Sequence, residues 1–191
     1  TITRIYQVTD FEGNIATAQQ AIIVDLDIVE PVITKQAEIR SLANRNISDI
    51  TAVKSGNWTD PGTWSGGAIP TPDYNVTIPS GVMVTINDAA ACNDLNIQTN
   101  GTLTSGANTL KVYGNWTNAG IYVGGTSGTV EFTGFYNSTV SGTTVFEELI
   151  INKGSLAATL TINGTSSVSS GGSLTLLSGL IALPTGANFV I

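Results

Sequence analysis

The chain has 191 residues, 41% hydrophobic and only 11% charged, with a net charge of -7, one cysteine and no histidine. Its few cations are scattered, so no basic stripe exists for phosphates, which excludes nucleic-acid binding and disfavours an anionic membrane surface. One thiol excludes an intrachain disulfide, the absence of histidine excludes Ser-His triads and ordinary zinc sites, and no apolar run of about 20 residues is present to span a bilayer. The polar surface must come from Thr, Ser, Asn and Gly, which suits short strands and tight turns and not helices. The expected class is all-β.

Residues 1–29 read as a hairpin. Ile2, Arg4, Tyr6 and Val8 fall on alternate positions, Asp10 to Asn14 form a Gly-containing turn, and strand composition resumes from Ile15 to Val24. A lone hairpin is marginal in water and needs further strands. The run Tyr6, Val8, Asp10, Gly13, Asn14 resembles the last strands of an immunoglobulin-like domain of the HYR or bacterial surface-repeat type. That resemblance implies that residues 1–29 are the C-terminal strands of such a module.

Residues 30–54 open with Glu30-Pro31 and read as a linker. The spacing of Ile39, Leu42 and Ala43 allows a short helix within it.

Residues 55–191 are the main body. Apolar strand-length pairs such as Val84-Ile86, Leu95-Ile97, Leu110-Val112, Val130-Phe132, Leu149-Ile151, Leu160-Ile162 and Leu174-Leu176 alternate with Gly-, Asn- and Ser-rich turns. The step from Leu110 to Val130 to Leu149 is near 20 residues, about one coil of a parallel β-helix. The expected fold is a right-handed parallel β-helix, or solenoid, preceded by the hairpin and linker; a β-sandwich or jelly roll is the alternative. The Trp58/Trp64 and proline-rich start would cap the first coil, while the apolar end reads as a coil that continued in a larger polypeptide.

Two further resemblances lie in this body. Gly56, Trp58, Trp64, Gly66, Gly67, Pro70, Pro79 and Gly81 follow the opening of a G8-type domain. The runs Gly114-Asn115-Trp116-x-Asn118-x-Gly120, Gly128-x-Val130-x-Phe132-x-Gly134 and Phe146-x-x-Leu149-x-Ile151-Asn152 resemble β-helical stretches of large secreted bacterial surface proteins, especially those exported by type IX secretion. The resemblance implies an extracellular, cell-surface location.

Catalysis on a β-helix needs convergent ionisable groups. After Val76 the charged residues are Asp88, Asp94, Lys111, Glu131, Glu147, Glu148 and Lys153, and no arginine follows Arg45. Glu147 and Glu148 should point apart along a strand, while Asp94, Glu131 and Lys153 could share a face. The chain is therefore expected to be no enzyme and to carry no obligate cofactor. Asp25, Asp27 and Glu30 are the carboxylates that suit calcium. Trp116, Tyr113 and Tyr122 are the candidates for stacking on a glycan, against a competing role for the tryptophans in corner packing. The expected function is a non-catalytic, adhesin-like surface module that projects, spaces or adheres. A polysaccharide-binding accessory segment of a carbohydrate-active protein and a filament-forming subunit are the alternatives. Expected partners are other modules of the same polypeptide and surface glycans or cell-envelope proteins, without nucleic acid or membrane insertion.

Overall fold

The computed structural model describes residues 2–9, 15–22 and 46–191. The chain divides into two compact units, Thr1–Asn44 and Arg45–Ile191. In the first unit, β1 (Ile2–Thr9) and β2 (Ile15–Ile22) pair antiparallel, in register from Ile2↔Ile22 to Thr9↔Ile15. This is the hairpin that the alternating pattern predicts. The turn at Asp10 to Asn14, the helical spacing around Ile39 and the carboxylates Asp25, Asp27 and Glu30 lie outside the described residues.

The second unit is a parallel β-solenoid of about five turns. Its strands fall into three parallel faces. The first face stacks β3 (Ser48–Thr51), β5 (Tyr74–Ile78), β8 (Leu95–Ile97) and β11 (Trp116–Asn118). The second stacks β4 (Gly56–Asn57), β6 (Met83–Thr85), β9 (Thr102–Thr104) and β12 (Ile121–Val123). The third stacks β7 (Ala90–Cys92), β10 (Thr109–Val112) and β13 (Thr129–Phe132).

Two long strands, β14 (Ser138–Asn152) and β15 (Thr159–Ser178), then each run through a whole coil, and β16 (Leu180–Ala182) and β17 (Asn188–Val190) pair with β15. The sequence pattern predicts separate short strands here. The chain instead continues as strand through the corners, with register shifts between Phe146 and Glu148 and between Ile151 and Asn152.

β3 lies inside the 30–54 stretch expected as linker, so the coil starts earlier than the composition shift at residue 55 suggests.

Register fixes the interior. Ile50, Val76, Leu95, Trp116, Val140 and Ile162 are successive pairing partners on the first face, and all are buried. On the third face Ala90, Leu110, Val130 and Leu149 form the equivalent buried column. Alternate residues point to opposite sides of each strand, so apolar positions of period two all enter one continuous core. No single coil can bury that side alone; stacking buries it and pairs the backbone along the axis.

The first coil lacks a strand on the third face. Two 3-10 turns, Pro61–Thr63 and Ser65–Gly67, occupy the stretch between β4 and β5. Buried Trp58 and Trp64 meet edge to face at 5.1 Å, and the Trp64 indole N–H donates to the Trp58 carbonyl at 2.8 Å. An antiparallel bridge joins Ala52 to Trp64. The tryptophans thus pack into the first coil, the structural place expected of them.

The corner at Gly142 shows how little freedom the wrap leaves. Its φ is +87°, and a Cβ there would lie 2.0 Å from the Asn118 carbonyl oxygen of the coil before. Gly142→Ala adds both a left-handed backbone and a clash with main chain. It should destabilise the unit by about 2–4 kcal/mol, read from urea unfolding; an unchanged midpoint would contradict this account of the corner.

Candidate ligand-binding face

Residues that alternate with the core point outward. On the first face, Thr51, Thr77, Asn96, Thr117, Ser141 and Asn163 are successive register partners and form one polar column. A second column stands one position before the core residues: Asp49, Asn75, Asp94, Asn115 and Thr139. Between the columns runs a groove of about 510 Å³, lined by Asn75, Thr77, Asp94, Asn96, Asn115, Thr117, Thr139 and Ser141 with the backbone of Val76 and Leu95.

The two columns differ in how their side chains are used. In the second column the Asp49, Asn75, Asp94 and Asn115 side chains each reach an adjacent coil. The Asn75 carboxamide donates to Asp49 at 3.0 Å, and its oxygen accepts from the Asn93 side chain at 2.8 Å. Asp94 Oδ1 accepts the Asn115 backbone N–H at 2.7 Å, and Asn115 Oδ1 accepts the Thr139 N–H at 2.9 Å. These bonds extend the backbone ladder around the corner, where parallel pairing would otherwise lapse. Gly114 clears the space, because a Cβ at that position would lie 2.0 Å from Asp94 Oδ1. By contrast, Thr77, Asn96, Thr117 and Ser141 have no side-chain hydrogen-bond partner among the described residues.

The expected aromatic platform does not assemble. Trp116 is 0% exposed, so it offers no ring face to a sugar. Its indole N–H donates to Thr144 Oγ1 at 2.9 Å, and its ring packs edge-on to Tyr122 at 5.1 Å and tilted on Phe146 at 5.5 Å. Tyr122 is largely interior; its hydroxyl shares a 2.9 Å hydrogen bond with Ser105, and burial pushes its pKa up to about 12, with Ser105 opposing and Glu147 reinforcing. Tyr113 is half-buried at another corner, beside Gly134. Trp116 and Tyr122 are therefore neighbours in the interior, and Tyr113 stands at a different corner, so the three rings do not share one exposed platform.

The motif around Trp116 is a scaffold device. Asn118 points inward, donates to the Thr143 carbonyl at 2.8 Å and to Thr144 Oγ1 at 3.1 Å, and accepts from the Gly120 N–H at 3.0 Å. It closes the corner that Trp116 opens.

Among the described residues, Asp94, Glu131 and Lys153 do not converge. Glu131 lies on the outer side of the third face, paired with Lys111 at 3.4 Å and receiving the Asn152 carboxamide at 2.9 Å. Glu148 accepts from Thr129 at 2.9 Å, whereas Glu147 accepts from Ser169, so the two neighbours do point apart. Asp94 belongs to the first face. Lys153 is 1% exposed, at the turn after β14, where its ammonium donates to the Thr133 carbonyl and to Ser138 Oγ. Asp94, Glu131 and Lys153 thus occupy three different places. Burial lowers the Lys153 pKa to about 8. The Cys92 thiol is buried and its pKa is raised, first by burial and then by the Asp94 carboxylate, so it sits in the core as a small apolar group.

Among the described residues no group of three or more His, Cys, Asp or Glu side chains is placed to hold a metal, and no helix is long and apolar enough to cross a membrane. No protein-family model, curated protein or solved structure matches the chain.

Proposed function

We propose that the chain is a non-catalytic, adhesin-like surface module whose solenoid projects, spaces or adheres. The observation that carries this reading is the use of side chains. The residues that look functional in sequence are consumed in building the coil: Trp116 and Asn118 on Thr144, Asn115 on Thr139, Asp94 on Asn115, Glu131 on Lys111 and Asn152. Among the described residues, Lys111, Glu131 and Glu148 of the third face are paired with one another or with Thr129 and Asn152, while Asp94 and Lys153 lie elsewhere; a hydrolase or lyase needs such groups free to meet a substrate. The resemblance of the Gly114 to Gly120 run to type IX-exported surface proteins, of the Trp58/Trp64 stretch to G8 domains and of the hairpin to HYR-type modules supports a bacterial cell-surface setting. Such a module needs no cofactor for this work. Calcium at Asp25, Asp27 and Glu30 belongs to the same proposal, as a stiffener of the segment that follows the hairpin.

An antiserum raised against the solenoid unit tests the location directly. It should label intact cells of the source organism without permeabilisation. Labelling only after lysis, or release of sugar products when the chain is incubated with polysaccharides, would overturn the reading.

A further inference from the structure

We propose that the groove on the outer side of the first face binds a neutral, hydroxyl-rich chain, an uncharged oligosaccharide or polysaccharide lying along the solenoid axis. This goes beyond the scaffold reading and can fail independently of it.

The groove floor carries the argument. Thr77, Asn96, Thr117 and Ser141 stand in register on four successive coils, with no side-chain hydrogen bond of their own among the described residues. Coils repeat at about 4.8 Å, so these four positions span about 14 Å in a straight line. Hydroxyls and carboxamides each present donors and acceptors, which is the mixture that vicinal sugar hydroxyls present in return. The groove's volume of about 510 Å³ is that of an ordinary ligand site.

Charge and polarity narrow the ligand. The lining holds no Lys or Arg, and its one ionisable side chain is Asp94. A uronate, sulfated or phosphorylated polymer would meet a carboxylate and no counter-charge. Val76 and Leu95 point into the core and are 1% exposed, so an apolar ligand would find no apolar floor.

The wall is held in place beforehand. Asn75, Asp94 and Asn115 are tied to neighbouring coils through Asp49, Asn93, Asn115 and Thr139. Binding therefore orders few side chains, which favours a weakly contacting but repetitive ligand. The third face lacks the unpartnered floor, because Thr129, Glu131, Glu148, Asn152 and Lys111 are already engaged with one another.

Affinity electrophoresis of the full chain tests the proposal. Gels would contain dextran, galactomannan or xyloglucan as neutral polymers, and alginate or heparin as acidic ones. At least one neutral polymer should retard the chain, and the acidic ones should not. The double variant Asn96→Ala/Thr117→Val, and separately Ser141→Leu, should weaken retardation at least five-fold, with Thr104→Ala on the second face unchanged. Backbone NMR of the unmodified chain with the retarding polymer covers the case of a variant that fails to fold: shifts should cluster at residues 77, 96, 117 and 141. No retardation by any neutral polymer, equal retardation by acidic ones, or shifts centred elsewhere would overturn it. Surface labelling of cells does not depend on any of these outcomes.

Discussion

Trp116→Ala should cost about 3–5 kcal/mol of stability, measured as a lowered midpoint in guanidinium unfolding, and should leave polysaccharide binding in the surviving folded fraction intact. The reason is position. Trp116 is fully buried on the fourth coil of the first face, in register between Leu95 and Val140. Truncation empties the space that Tyr122 and Phe146 pack against, at centroid distances of 5.1 and 5.5 Å. Edge-to-face aromatic contacts add about 0.5–1.5 kcal/mol each to the area term. Thr144 Oγ1 also loses the indole donor, though the Asn118 carboxamide still reaches it at 3.1 Å. Trp116→Phe keeps most of the volume and loses the N–H, so it should cost about 1–2 kcal/mol. A residue that stacked on sugar would behave in the opposite way, with near-native stability and lost binding. That outcome would restore the aromatic platform and displace the core assignment.

This contrast marks where the sequence is legible. Period-two apolar positions and a step near 20 residues are visible in Leu110, Val130 and Leu149, and these three are true register partners. The solenoid follows from that step because core burial repeats with the coil. The hairpin follows from local alternation, and its two strands pair as expected. What a linear reading misses is direction. Trp116 and Asn118 look exposed because they sit in a run of Gly, Asn and Thr, yet both point inward. The corner ladder had a signal: Asn75, Asp94 and Asn115 each stand one residue before a core position, at the same step as the core itself. The groove floor is the other half of that pattern, one residue after the core, and no motif distinguishes it from ordinary solvent-facing Thr and Asn. The continuity of β14 and β15 has no local signal either, since glycine-rich corners break strands in most contexts and here only bend them.

Lys153 is the last case, and its effect shows in a slope and not in a level. It is buried after β14 with two hydrogen-bond acceptors, Thr133 O and Ser138 Oγ, and no carboxylate takes part in those bonds. Burial lowers its folded-state pKa to about 8, below the ordinary value of 10.5. The unfolded chain therefore holds this proton more tightly, and stability rises with pH wherever the unfolded state binds more protons. Below about pH 8 the lysine is charged in both states and the full burial penalty is present. The penalty fades between about 8 and 10.5 and is gone above that. Its size is on the order of 2–3 kcal/mol. Lys153→Met removes the charge but strands the two acceptors, at about 1–2 kcal/mol each, so near neutral pH the two terms nearly cancel and the variant should differ little from the wild type. With rising pH the terms no longer cancel. Urea unfolding at intervals from pH 7 to 10.5 should show the wild type gaining on the variant by on the order of 2–3 kcal/mol. The variant retains every other titratable group, so the difference isolates the ammonium. Parallel curves would mean that the ammonium is solvated in the folded chain, and the corner around Thr133 and Ser138 would then be open to water.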